Sequence, residues 1–449
     1  MKVTGIIAEY NPFHNGHRYH IEQAKKTTGA DYIVVMMSGD FTQRGTPACF
    51  DKFTRAKMAL QNGADLVLEL PVCYATSSAE LFAEGGVSLL NQTGIINYLC
   101  FGAEPVSQST LFPATNHCHN TTSFTSNTPA QKTAKNENAS PSNESLSAEH
   151  FLQTAAFFVN EPAEYKLKLK EYLKNGHTFP TARNLAAMPF LSETNCKLLA
   201  SPNNLLGLEY CKALLKKRST ITPVPITRSG SGYHDTTISA ESFASASAIR
   251  KELLSSLQKE TPFSDKLALA VPDSVAEHFQ TSAFSYMTED DFYPLLYYRL
   301  LYEDITPDYF LDFSKELTDR LKKAPLPLSY ETLVEYLKTK QYTRTRIERA
   351  LLHVLLQLTT KDMQTFRENE TGYLRILGFR KDASPLLRAL QNNAALPVIT
   401  KLSDAKKQLS TDAYKMLSQD ICTARLYNAQ VYHKYKVLLP DEYAYLVIL

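Results

Sequence analysis

Four apolar runs punctuate the first hundred residues: VTGIIA, DYIVVMM, DLVLEL and INYLCFG. Each is nearly continuous rather than alternating, the pattern of a strand covered on both faces in a parallel sheet. The segments between them have helical spacing. HRYHIEQAKKTTG stops at Gly29, and DKFTRAKMALQNG opens on Asp51, a capping residue type, and stops at Gly63. Strand and helix in alternation predict a Rossmann-like, doubly wound α/β sheet, whose ligands collect beyond the carboxyl ends of the strands. The sequence just past those ends is polar and distinctive: EYNPFHNGH, SGDFTQRG, ELPVCYATSSAE and GAE.

From Pro105 the pattern lapses. Residues 105–149 are rich in Ser, Thr and Asn and poor in large apolar side chains. Such a composition cannot bury enough surface to offset ordering, so the stretch reads as a disordered insertion. The HCH at His117–His119 sits on it without a second ligand cluster, so no metal is expected there. Helical pattern returns in FLQTAAFFVNEPAEYKLKLKEYLKNG. SPNNLLGLEYCKALLK is a loop feeding a helix, ITPVPITRSGSGYHD a strand running into a Gly/Ser loop, and ASASAIRKELL a helix with hydroxyls in its first turn. From about residue 260 the spacing is helical to the end of the chain. The expected organisation is a catalytic α/β domain over 1–104 and 150–258, the insertion 105–149, and a helical domain over 259–449.

Composition narrows this little. An apolar fraction of 44% with 21% charge is ordinary for a globular enzyme, and 449 residues make two or three domains. A net charge of +2 gives no global field for nucleic acid, so any such surface is regional. Residues 341–410 hold twelve Lys/Arg against six Asp/Glu. Within TRTRIERALLHVLLQLT the stripe Ile347, Leu351, Val354, Leu355, Leu358 has helical spacing, and Arg346, Arg349 and His353 share a neighbouring face. That face is either solvated or a phosphate-contacting surface. Seven scattered cysteines without CxxC spacing predict neither a disulfide framework nor a zinc knuckle. With no signal-like start and no run of ~18 apolar residues, the chain reads as cytoplasmic.

His14 and His17, three apart in NPFHNGH, admit three readings. On one helix face they could share a metal, but no third ligand of suitable spacing follows. As packed core histidines they would need apolar neighbours, and the flanking residues are turn formers. A phosphate site fits the context. A strand ends, a Pro-containing loop follows, Gly16 permits close backbone approach, and a helix begins whose free N–H groups and dipole favour anions. Imidazoles can donate to phosphoryl oxygens and stabilise charge developing at phosphorus. The pair points to a nucleotide, and no Walker A loop competes.

NPFHNGH resembles the HxGH signature of nucleotidylyltransferases, and SASAIR, Ser245 to Arg250, resembles their second signature. Relatives often carry two hydroxyls where Ser247 and Ala248 stand here. At closer range, EYNPFHNGHRYH, MSGDFTQRGTPA, KMALQNGADLVLELP, SPNNLLGLEY, SGYHD and YLRILGF resemble the bacterial tRNA(Met) cytidine acetate ligases over nearly the whole chain. The resemblance implies that ATP, brought with Mg2+ rather than to a protein-bound metal, activates acetate as acetyl-adenylate. The acetyl group then passes to N4 of the wobble cytidine of elongator tRNA(Met). No membrane and no obligate protein partner is implied.

His14, His17 and Arg250 become the expected catalytic residues. The family's ATP-binding stretch maps onto Ile7, Ala8, Glu9, Tyr10, Asn11, Pro12, Phe13, His14, Asn15, Gly16, His17, Arg18, Tyr19 and His20. Gly102 maps to a position leaving room for adenine or ribose, Asn203 (rather than Asn204) to one reading their edges, and Arg228 to a cation for the triphosphate. Our own reading adds Ser245 and Ser247 for pyrophosphate and Arg346, Arg349, Arg375, Arg380 and Lys381 for tRNA. Arg44, Lys57 and Arg183 are phosphate or tRNA contacts or plain surface cations, and Asp40 and Asp65 serve equally well as structural caps. Two alternatives stand beside the ligase. A small-molecule adenylyltransferase of the same superfamily sits poorly with the long helical tail. A non-catalytic tRNA-binding protein sits poorly with the retention of His14, Gly16, His17 and Arg250.

Overall fold

The computed structural model describes residues 1–105, 146–228, 243–259, 264–280 and 285–449. Almost all of the Ser/Thr/Asn-rich stretch, with its HCH, and the SGYHD motif lie outside the described residues. Five parallel strands, β1 (Val3–Ala8), β2 (Tyr32–Ser38), β3 (Leu66–Leu70), β4 (Tyr98–Ala103) and β5 (Thr222–Thr227), stand in the order β5-β4-β1-β2-β3. Successive side chains of a strand point to opposite faces. Val34 and Met36 enter one core, and Ile33, Val35 and Met37 enter the other. Burial on both faces is why these strands read as unbroken apolar runs. The chain winds from β1 to β2 on one side and sets β4 on the other. The switch point of the sheet therefore opens at the carboxyl ends of β1 and β4.

The first two helices close as the sequence directs. Helix α1 (Asn15–Thr28) ends at Gly29, whose left-handed φ of 60° lets its N–H reach Lys25 O. Helix α2 (Lys52–Gln61) is capped by Asp51, which accepts from the Phe53 and Thr54 N–H groups at 3.0 Å each. The two acids read as caps are structural. Asp65 accepts from Ile33 N at 2.7 Å, and Asp40 from Lys52 N at 2.8 Å.

The region beyond residue 259 departs from the all-helical expectation. The YLRILGF motif forms β6 (Leu374–Phe379), antiparallel to β3, and β7 (Val398–Ile399) and β8 (Val447–Ile448) run parallel to β6. A buried charge network holds β6 in place. Lys52 Nζ lies 2.8 Å from Glu69 and 2.7 Å from Glu442, while Arg375 reaches Glu69 at 2.9 Å and Glu442 at 2.7 Å. A third core, built mostly of later helices, takes in Phe41 from the loop after β2 beside Phe292 and Tyr427. That loop also touches the helix Arg344–Leu356. A Cβ on Gly45 (φ +84°) would stand 2.3 Å from Arg349 N, so only glycine fits. Among the described residues no helix is long and apolar enough to cross a membrane.

Candidate functional site

A cleft of about 320 Å³ opens at the carboxyl ends of β1 and β4, within the range of roughly 300–1,000 Å³ usual for small-molecule sites. Its floor is the turn from β1 into α1, where His14 is the N-cap. His14 Nδ1 accepts from Gly16 N at 3.1 Å, and His17 Nδ1 accepts from His14 N at 3.3 Å, a capping box built from two imidazoles. The rings stack at 3.7 Å between centroids. With Nδ1 accepting in both rings, the proton of each neutral imidazole sits on Nε2, which makes that atom a donor. Burial, then the charge of Arg228, pushes His14 down to about 3 and His20 to about 4. Burial, the neighbouring His14 and Arg228 hold His17 well below the ordinary range. All three are neutral at pH 7.

Gly16 matters for a reason the sequence did not reveal. A Cβ there would sit 2.9 Å from His14 Cε1, so the glycine makes room for the capping ring itself. Gly102 likewise lines the cleft, and a Cβ there would stand 3.2 Å from Arg228 Cγ. The arginine stem packs against the glycine from the cleft side.

The opposite wall is the start of the helix Ala246–Gln258. Ser245 caps it, accepting from Ala248 N at 3.1 Å. Arg250 leans from this helix onto the β1 turn, donating to Asn11 O at 2.6 Å and to Ser247 Oγ at 3.3 Å. The start of the helix Pro202–Lys216 supplies a third side. Asn203 lines the cleft with its amide nitrogen on Glu104, whereas Asn204 is buried and tied to the Glu104 main chain at 2.8 and 3.2 Å. Asn203 is therefore the one of the pair available to a ligand.

Of the expected ATP-binding residues, Ile7 to Asn11, His14, Gly16, His17, Tyr19, His20, Gly102, Asn203, Arg228, Ser245 and Ser247 line one cleft, with Arg250. Pro12 and Phe13 are buried behind it, Asn15 donates to Leu269 O at 2.9 Å, and Arg18 pairs loosely with Glu22 at 3.7 Å. Those four do not line it. The loop after β2 adds Thr42, Gln43, Arg44 and Thr46, and Phe82, Phe101, Leu206 and Tyr210 add an apolar side. The loop was visible as SGDFTQRG past a strand end. The aromatic residues carried no signal, because an apolar residue in a strand or helix reads as core.

The loop after β2 is fixed by Arg55, which is fully buried. Its guanidinium donates to Phe50 O at 2.8 Å, Glu9 O at 2.6 Å, Ser38 O at 3.1 Å and Gly39 O. It ties the ends of β1 and β2 to one another. Glu9 then accepts from Gln43 N at 2.7 Å. Among the described residues no group of three or more His, Cys, Asp or Glu is placed to hold a metal ion.

Comparison with known proteins fits this geometry. A family model described as HIGH Nucleotidyl Transferase matches residues 1–143 and 137–438. A tRNA(Met) cytidine acetate ligase of Acetivibrio thermocellus is 38% identical over 95% of this chain and 94% of its own. The chain is a HIGH nucleotidyl transferase of the tRNA(Met) cytidine acetate ligase family. A second member, from Clostridium kluyveri, is 35% identical over 94% of this chain and 96% of its own. The crystal structure of Thermotoga maritima TmcAL bound with alpha-thio ATP superposes with a TM-score of 0.80 at 27% identity, covering both chains completely. The apo form of the same protein gives 0.83 at 28% identity, again over both whole chains.

The residues expected to meet tRNA do not form one surface. Arg375 is 3% exposed inside the β6 charge network, and Arg349 is buried against Asp312 at 2.8 Å, so neither reaches an RNA. His353, expected on the same face, is fully buried with its ring nitrogens 3.0 Å from Leu311 O and Thr76 O. The helix Arg344–Leu356 is a core element whose cations point inward or pair. Arg346 lies over the Tyr342 ring at 4.7 Å. Arg380, paired with Asp382 at 2.7 Å, and exposed Lys381 follow β6 at the amino end of β3, across the sheet from the cleft. Arg183 stacks over Phe158 at 5.9 Å and is not part of the cleft wall.

Proposed function

We propose that this chain couples ATP to the acetylation of a cytidine in elongator tRNA(Met), in two steps at the β1–β4 cleft. An acetate oxygen attacks the α-phosphorus of ATP and pyrophosphate leaves, giving acetyl-adenylate. The exocyclic N4 of the wobble cytidine then attacks the acetyl carbon, AMP departs and one proton is released, leaving N4-acetylcytidine. The observation that carries this reading is convergence. His14 and His17 from the first signature and Ser245, Ser247 and Arg250 from the second face one cavity, in a chain of this family.

The chemistry asks for positioning and charge stabilisation more than for a strong base, because acetate is already ionised at neutral pH. Neutral imidazoles presenting Nε2–H donate to phosphoryl oxygens without the cost of a buried charge. The hydroxyl-rich start of the Ala246–Gln258 helix and Arg250 take the departing pyrophosphate. Phe101, Leu206 and Tyr210 form an apolar slot suited to a base, with Asn203 at its edge to read a donor or acceptor. A magnesium ion accompanying ATP would rest on phosphate oxygens and water. The acid that lines the cleft, Glu9, already accepts a backbone N–H, and Glu104, which accepts from Ser201 and Asn203, is not part of the lining.

The decisive experiment supplies purified protein with ATP, labelled acetate and an elongator methionine tRNA transcript, followed by nucleoside analysis. ATP-dependent N4-acetylcytidine, absent with acetyl-CoA alone, is the expected result. AMP and pyrophosphate without acetylated tRNA would leave an adenylating enzyme and remove the tRNA substrate.

A further inference from the structure

Four chain segments meet behind Arg250 in a closed circuit of hydrogen bonds. Arg250 Nη1 donates to Asn11 O at 2.6 Å, and Asn11 Oδ1 accepts from Cys49 N at 2.8 Å. Cys49 O accepts from Met287 N at 3.1 Å, and Tyr286 Oη donates to Arg250 O at 3.2 Å, which closes the ring. Tyr286, Met287 and Cys49 are all buried.

The circuit extends to the last long helix, Thr411–Tyr435. Tyr435 Oη donates to Tyr286 O at 2.7 Å and accepts from Tyr286 N at 3.2 Å, so one hydroxyl holds both main-chain polar groups of a single residue. Lys434 Nζ donates to the same carbonyl at 3.0 Å. Tyr286 also packs its ring edge-on against Phe50, from the segment leading into α2, at 6.2 Å. Neither Tyr286 nor Tyr435 lines the cleft.

We infer that Tyr286 and Tyr435 are positioning residues for Arg250. Tyr435 clamps the main chain of Tyr286, and the Tyr286 hydroxyl clamps the main chain at Arg250. The guanidinium is thereby held against the Asn11 carbonyl, on the same turn that carries His14 and His17. A cation set on one helix can meet phosphates bound by another turn only if the two are in fixed register. The last helix of the chain supplies that register. The inference rests on the reading of Arg250 as the cation at the pyrophosphate end of the site.

The test is a double-mutant cycle in the full-length chain. Tyr286→Phe and Tyr435→Phe each remove one hydroxyl and keep the ring, and each is combined with Arg250→Ala. ATP affinity is measured by calorimetry, acetate-dependent ATP–pyrophosphate exchange gives KM and kcat, and a melting curve reports folding. Each Phe variant should weaken ATP binding and raise KM for ATP about three- to tenfold, a loss on the scale of neutral hydrogen bonds. In the Arg250→Ala background the same changes should do nothing further. Losses that multiply with Arg250→Ala, or Phe variants that bind ATP as the wild type does, would overturn the inference. So would a fall in melting temperature alone, or an Arg250→Ala variant with unchanged ATP affinity. A wild-type protein that binds ATP but shows no acetate-dependent exchange would remove the acetate reading, while the affinity cycle would still decide the role of the tyrosines.

Discussion

His14 does two jobs with one ring. Its Nδ1 caps α1, and that bond leaves the proton on Nε2, the atom a phosphoryl oxygen can use. Substituting His17 by Asn removes one such donor from the site while leaving a polar residue in the first turn. ATP–pyrophosphate exchange should fall by about a hundredfold or more, the scale of losing one preorganised donor to a developing charge. Undiminished exchange would show that His17 only shapes the helix start. The buried His14 ring also sets a pH dependence. His14 is held at about 3 when folded, against its ordinary value of 6.5. A base with a depressed folded pKa contributes stability that is present above the unfolded value and is lost as pH falls from there toward the folded one. The wild-type melting temperature should therefore fall more between about pH 7 and pH 5 than that of His14→Asn, which carries a neutral cap with nothing to titrate. Parallel curves for the two proteins would mean that His14 titrates normally in the folded state. The motif itself was legible because its residues are contiguous. Its supporting contacts were not, and Gly16 is the example: it serves the His14 ring, a neighbour two positions away that only the three-dimensional turn brings over it.

The loop after β2 shows what an element adds to its residues. Thr42, Gln43, Arg44 and Thr46 line the cleft, Phe41 is buried among the later helices, and Gly45 abuts the backbone of Glu348 and Arg349. Gly45→Ala combines a left-handed φ with a Cβ 2.3 Å from a main-chain nitrogen. A cost of about 2 kcal/mol or more is expected, together with a raised KM for ATP because the cleft wall must shift. A variant with wild-type melting and kinetics would show that the loop has slack. The β6 strand was missed for a related reason. LRILGF is short, its arginine looks like a surface charge, and its partner β3 lies about three hundred residues earlier. Counting cations along 341–410 cannot tell Arg375, buried between two glutamates, from Arg380, whose side chain is 40% exposed. Substitution separates them. Arg375→Gln strands buried carboxylates and should cost about 3–5 kcal/mol, whereas Arg380→Gln removes an exposed pair worth under about 1 kcal/mol. Denaturant midpoints of the two variants read the difference directly, and equal midpoints would deny the network its role.

At the scale of the whole chain, the alternation of strand and helix made the sheet legible as far as β5, while the expected boundary at residue 258 is where sequence reasoning and structure part. The front region does not own all of its interior. β3 takes β6 as its outer neighbour, Lys52 finds one of its two carboxylates at Glu442, and Phe41 and Cys49 are covered or bonded by residues beyond 285. Cutting the chain after residue 258 would expose the edge of a fully buried strand, a template for aggregation. It would also leave Lys52 buried against Glu69 alone and open a large apolar surface around Phe41. Residues 1–258 produced alone should be insoluble or lack a cooperative melting transition, whereas the full chain should unfold with its ATP-binding region and later helices in one coupled event. Calorimetry with and without ATP on both proteins checks this. A soluble 1–258 fragment that melts cooperatively and is stabilised by ATP would show a self-sufficient catalytic domain. It would also restrict the later helices, Tyr435 among them, to adjusting a site that already stands without them.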